Sequence, residues 1–129
     1  MGAVTAAGLV ADAKSRIQNL TPHEVKTELD RNGTTLIDIR EANELSESGA
    51  IPGAVHAPRG MLEFYADPTS PYYRAEFDPN RRLILTCASG GRSALATVRL
   101  QQMGYTDVAH LDGGLKAWKE QGLPVNQGN

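Results

Sequence analysis

The sequence predicts one α/β domain built around a mostly parallel sheet. Three observations carry that expectation. Short β-branched and apolar runs alternate with helical periodicity along the whole chain, as in strands joined by crossover helices. One run, "LILT" at Leu83 to Thr86, is apolar almost without interruption, as suits a central strand covered on both faces. Finally, 129 residues with 40% apolar side chains are enough for one core and too few for two ordinary domains.

The elements follow in order. Ala6 to Arg16 is rich in Ala, and Leu9, Ala13 and Ile17 share a helical face, so a leading helix is expected. "RIQNL" reads as a short strand. In "TPHE", Thr21 is placed to be an N-cap, Pro22 the first helical residue and Glu24 the residue that reaches back, which starts a helix running to about Asp30. Beyond the turn at Gly33, "TTLIDIR" has the β-branched and apolar content of a buried strand ending near Arg40. "EANELSESG" is a short helix stopped by glycine, and "AVHAP" a short strand after the turn "IPG". The polar, proline-punctuated excursion "RGMLEFYADPTSPYYRAEFDPNRR" is expected to hold one or two short helices, and loops of such length are often functional. After "LILT" and the loop at Cys87, a helix from Arg92 to Met103 places Ala96, Leu100 and Met103 on one face, with Gly104 as its stop. "DVAHL" is a further strand, "GGLKAWKEQG" a closing helix with Trp118 as a core anchor, and "LPV" a last extended piece.

Composition narrows the function. The 13 basic and 15 acidic side chains nearly cancel, which argues against a nucleic-acid partner. The single cysteine excludes an intramolecular disulfide framework and any cluster of several thiolates, and points to reducing surroundings. The start of the chain has no basic residue ahead of its weakly apolar stretch and carries Asp12, so it makes a poor secretory signal; Ala6 stands where a myristoylation motif wants Ser or Thr. No apolar run approaches membrane-spanning length. A cytoplasmic protein without a membrane partner is therefore expected. No spacing of His, Asp and Glu suggests a metal, and no cofactor is expected.

The chemistry concentrates in "ILTCASGGRSALA", where a strand runs into a glycine-containing loop and then a helix. Such a junction gathers backbone N–H groups around one point and adds the positive end of a helix dipole. A sulfur at its mouth is stabilised as thiolate, so Cys87 can be a nucleophile without a histidine beside it. Gly90 and Gly91 allow dihedrals closed to other residues, and Arg92 adds a forked cation suited to an oxyanion. A small buried structural cysteine is the alternative at this point. Asp38, Arg40 and Glu41 end the early strand on the same edge, where a structural ion pair joining loops is favoured over a direct contribution to the field at Cys87. His23 and His110 are expected to be structural or exposed, and His56 to hydrogen-bond rather than catalyse. Glu63, Phe64, Tyr72 and Tyr73 are candidates for a pocket wall, with local packing the more frequent role of such aromatics.

Four segments resemble the rhodanese-like family: "LIDIRE", "SGAIPGAVHAP", "CASGGRS" and "HLDGGLKAWKEQGLPV", in register from about Leu20 to Val125. The resemblance implies a rhodanese-like domain over 20–126, its parallel sheet flanked by helices on both faces, with an N-terminal extension at 1–19 and a tail at 127–129. It implies a sulfurtransferase that moves a sulfane sulfur from thiosulfate or a related small donor to cyanide or a thiol acceptor, small or on a protein. Carried over, Cys87 is the nucleophile and persulfide carrier. The N–H groups of Ala88, Ser89, Gly90, Gly91 and Arg92 cradle the sulfur, Arg92 steadies the oxyanion, and Ser93 hydrogen-bonds within the loop; Asp38, Arg40 and His56 are candidate supporting residues. One position departs from the pattern, Ala50, where the second signature often has histidine. The six residues from Cys87 to Arg92 match sulfurtransferases, whereas the related cell-cycle phosphatases have a loop one residue longer. The alternatives are a phosphatase or arsenate reductase of the same fold, or a non-enzymatic sulfur-relay or binding module.

Overall fold

The computed structural model describes residues 3–127; Met1 and Gly2 of the expected extension, and Gly128 and Asn129 of the expected tail, lie outside the described residues. The elements in chain order are α1 (Ala6–Arg16), β1 (Gln18–Leu20), α2 (Pro22–Leu29), β2 (Thr34–Asp38), α3 (Ala42–Ser48) and β3 (Val55–His56). A 3-10 turn at Arg59–Met61 leads into α4 (Leu62–Ala66), followed by β4 (Arg82–Thr86), α5 (Gly91–Gln102), β5 (Val108–Leu111) and α6 (Gly114–Glu120). The capping box read from "TPHE" is formed: the Glu24 N–H donates to Thr21 Oγ1 at 3.2 Å and the Thr21 N–H to Glu24 Oε1 at 2.8 Å.

The five strands lie in the order β1-β5-β4-β2-β3 and every pairing among them is parallel. The extended piece after α6 adds one antiparallel bridge, Ala50 to Asn126. Alternation along the strands divides the core in two. Ile37, Leu83, Leu85 and Val108 meet Ala96 and Leu100 of α5, Leu62 and Ala66 of α4, and Phe77. Leu36, Ile84, Ala109 and Leu111 meet Val25 of α2 and Leu115 and Trp118 of α6. Helices therefore cover both faces, and β4 is apolar at successive positions because both its faces are inside. The leading helix α1 packs on α5 and buries Ala13.

The excursion at 59–82 is held as a packed cover. The Tyr105 hydroxyl lies 2.6 Å from the Ala66 carbonyl and 2.9 Å from that of Phe77, the Tyr73 hydroxyl donates to the Phe77 carbonyl at 2.9 Å, and Arg74 donates to the His56 carbonyl at 2.8 Å. Among the described residues no helix is long and apolar enough to cross a membrane.

The chain leaves β2 toward β3 on one side and leaves β4 toward β5 on the other, so the strand order reverses between two neighbours, β2 and β4. A crevice opens at the carboxyl ends of strands at such a switch point. The end of β2 is fixed there by a buried ion pair. The Arg40 guanidinium donates to Asp38 at 2.7 Å and 3.0 Å and to the Gly49 carbonyl at 2.8 Å, with both residues no more than 2% exposed. Removing one partner of a buried pair leaves the other charge uncompensated. Arg40→Met should therefore cost about 3–5 kcal/mol, read as a fall in the urea midpoint, and the double variant Asp38→Leu/Arg40→Met should recover most of it.

Candidate active site

Cys87 follows β4 directly, at the switch point, and is 1% exposed. Its Sγ accepts the N–H of Gly90 at 3.1 Å and that of Ser93 at 3.3 Å, and lies 3.4 Å from Ser93 Oγ. Gly90 makes the turn into α5 with φ of 102°, a left-handed conformation that disfavours a side chain, and its Cβ would also stand 3.0 Å from the Gly113 nitrogen. Among the described residues the amides of Ser89, Gly91 and Arg92 find no protein acceptor. The loop thus carries two amides bound to the sulfur and three with no protein acceptor.

The loop is oriented from outside by α6. The Leu115 N–H donates to the Cys87 carbonyl at 2.9 Å and the Lys116 N–H to the Ala88 carbonyl at 3.0 Å. Gly114 allows this approach: with φ of 60°, its Cβ would fall 2.5 Å from the Cys87 oxygen and 2.7 Å from the Ser89 nitrogen. Sequence reading assigned "LDGG" no part in the site, although its paired glycines were a visible signal for close backbone contact.

Arg92 meets a carboxylate that the sequence reading did not single out. Its Nη1 and Nη2 donate to the two oxygens of Glu44 at 2.9 Å and 2.8 Å. Glu44 Oε2 also accepts the Glu41 N–H at 2.8 Å, which caps α3. The Arg92 guanidinium and this N–H hold the Glu44 carboxyl at about 2, and Glu44 in turn pushes Arg92 further up. The cap joins Glu41 and Glu44 within one turn of chain, whereas the contact of Glu44 with Arg92, 48 residues away, is tertiary.

Asp38 and Arg40 are brought to the same edge as a structural pair, and His56 Nε2–H donates to the Arg40 carbonyl at 2.7 Å. Ala88 opens on a cleft of about 410 Å³ lined also by Glu44, Ser48, Leu115, Lys116 and Lys119. The expected wall residues lie in the excursion. Phe64 and Tyr72 stack edge-on with centroids 6.3 Å apart on the surface, Tyr73 is tied to Phe77, and Glu63 pairs with Arg59 and Arg99. His23 is exposed, whereas His110 is fully buried, with Nδ1 2.9 Å from Ser93 Oγ and Nε2 2.8 Å from Asn19 Oδ1. Burial pushes His110 down to about 4.

The model of the Rhodanese-like domain matches residues 21–121. The chain belongs to the rhodanese-like family. A sulfurtransferase of Allochromatium vinosum is 34% identical over 96 residues, 74% of this chain and 81% of that protein. Thiosulfate sulfurtransferase 16, chloroplastic, of Arabidopsis thaliana is 32% identical over 116 residues, 87% of this chain and 96% of that one. A solved structure from Rhodopseudomonas palustris, of a protein of unknown function described as a possible tyrosine phosphatase, superposes with a TM-score of 0.91 at 35% identity, covering 98% of this chain and 97% of that one. The α/β architecture expected from the resemblance is the one observed.

Two predictions follow from this geometry. Gly114→Ala should displace the Cys87–Ser89 backbone, lowering the thermal midpoint and slowing iodoacetamide alkylation of Cys87 at pH 7 by about tenfold. The second concerns acid stability. The unfolded chain protonates His110 near 6.5 and the folded one only near 4, so the unfolded state binds more protons between these values and stability declines as pH falls from 6.5 to 4. Glu44, depressed when folded, adds a further decline from about 4.5 to about 2. Urea titrations at stepped pH should show the upper decline in the parent protein, amounting to roughly 3 kcal/mol, and not in His110→Leu.

Proposed function

We propose that this protein is a cytoplasmic sulfurtransferase in which Cys87 carries the sulfur as a persulfide. The observation that supports this best is the seating of Cys87 Sγ on the Gly90 and Ser93 amides, in a loop whose Ser89, Gly91 and Arg92 amides have no protein acceptor among the described residues. In the first step the thiolate attacks the outer sulfur of a donor such as thiosulfate. A bond forms between Sγ and that sulfur, and the donor's sulfur–sulfur bond breaks with its electron pair leaving on sulfite. The terminal persulfide sulfur is anionic, and those three amides are the donors available to hold it. An acceptor thiolate or cyanide, entering by the cleft at Ala88, then attacks the terminal sulfur and Cys87 departs as thiolate.

Arg92 serves this site as a paired cation. Glu44 accepts from both Arg92 Nη atoms, so the cation beside the loop is already matched to a carboxylate. Asp38, Arg40 and His56 support the neighbouring edge through the buried pair and the bond to the Arg40 carbonyl. The 20–126 segment carries this function, with α1 as a brace on α5.

A phosphatase is the second reading, favoured by the description of the Rhodopseudomonas palustris protein. The six-residue span from Cys87 to Arg92 speaks for a single sulfur atom rather than a phosphoryl group as the occupant. Incubation with thiosulfate should add the mass of one sulfur atom to the intact protein, removable by cyanide or dithiothreitol and absent in Cys87→Ser. Hydrolysis of an aryl phosphate without a persulfide adduct would assign the site to phosphoryl transfer instead, and neither reaction would leave a binding module.

A further inference from the structure

We propose that His110 is a positioning residue for Cys87: it captures the Ser93 hydroxyl proton and so keeps that hydroxyl from donating to the sulfur. The inference deepens the reading of Cys87 as the nucleophile and rests on it.

The hydrogen-bond directions fix one another, starting from the surface. Asn19, exposed on β1, donates from Nδ2 to the carbonyls of Lys14 at 2.9 Å and Ile17 at 3.2 Å, which turns its Oδ1 toward His110. An amide oxygen only accepts, so at 2.8 Å His110 Nε2 bears the hydrogen. The ring is fully buried and neutral at pH 7, so Nδ1 is a bare acceptor. The Ser93 hydroxyl has one proton and three acceptors in reach: His110 Nδ1 at 2.9 Å, the Gly90 carbonyl at 3.3 Å and Cys87 Sγ at 3.4 Å. The short contact to nitrogen takes the proton. Ser93 Oγ then faces the sulfur with lone pairs and serves the thiol S–H as acceptor.

The consequence is chemical. The thiolate is left with two backbone donors, Gly90 and Ser93 N–H, and is denied a third from the hydroxyl. A thiolate stabilised by one donor more is present at lower pH but is a weaker nucleophile once formed. His110 therefore holds Cys87 at higher intrinsic reactivity for attack on a sulfane sulfur. Of the charged groups around the network, Arg92 of α5 pairs with Glu44 of α3, Asp38 with Arg40 beyond β2, and Lys14 of α1 with Asp112 after β5 at 2.9 Å, while Lys116 of α6 is exposed on the cleft at Ala88. Neither substitution below removes any of these charges.

The test is iodoacetamide alkylation of Cys87 across pH, which needs no sulfur donor and so separates this inference from the persulfide experiment. In His110→Leu the hydroxyl is free to turn to the sulfur. Its profile should move to lower pH by about one unit and its high-pH plateau should fall about threefold, so that it crosses the parent curve. Asn19→Leu, at an exposed position, lets His110 carry its hydrogen on Nδ1, donate to Ser93 and release the hydroxyl proton to Cys87; the same crossing is expected with little risk to folding. In a Ser93→Ala background neither substitution should have this effect. Profiles that coincide with the parent, move to higher pH, or shift equally without Ser93 would overturn the proposal. If His110→Leu does not fold by circular dichroism, Asn19→Leu decides alone by the same criteria.

Discussion

The site depends on two hydrogen bonds made by the first turn of α6. By accepting the Leu115 and Lys116 N–H groups, the carbonyls of Cys87 and Ala88 are directed away from the centre of the loop. Peptide planes carry a donor and an acceptor on opposite edges, so fixing the carbonyls outward leaves the following N–H groups on the inner side. The approach that permits these bonds is closer than any side chain at Gly114 allows. A helix that contributes no side chain to the sulfur therefore shapes its cradle, and a Cβ there would act on the loop backbone rather than on packing alone.

Around this backbone device two ion pairs stand out. Glu44 meets Arg92 and Asp38 meets Arg40, and both pairs join the segment after β2 to the strand-order reversal. Glu44 holds two roles at once, capping α3 and fixing Arg92, which is why its carboxyl is so strongly acidic. The Asp38–Arg40 pair is buried and therefore costly to desolvate, and the bond from Arg40 to the Gly49 carbonyl ties the end of β2 to the end of α3; the Glu44–Arg92 pair is partly exposed and links α3 to α5. The hydrogen-bonded row from Asn19 through His110 and Ser93 does the same on the α5 side of the sulfur.

Much of this was legible in the residues. The alternation of apolar runs and helical periodicity set the order of strands and helices, and the capping chemistry of Thr21 and Glu24 acts within four residues, so sequence displays it directly. Cys87 at the end of an apolar strand, followed by two glycines and Arg92, marked the loop because a nest is local backbone chemistry. The partners of that loop were not legible. Glu44, Leu115 and His110 lie 43, 28 and 23 residues from Cys87 in the numbering, and nothing local distinguishes a carboxylate that caps its own helix from one that also binds a distant guanidinium. His110 in particular reads as one more strand residue until β5 is placed beside β4 in register, with Leu85 opposite it.

The sequence by itself determined the family, the element order, and the loop with its cysteine, because each rests on spacing within a short stretch of chain. Only the tertiary structure decided which groups face that cysteine. Sheet order brought β2 beside β4, the paired glycines let α6 touch the loop, and the burial of His110 made it a neutral acceptor. Those outcomes depend on close approach between segments distant in the chain, and hydrogen-bond direction is set only once both partners are in place.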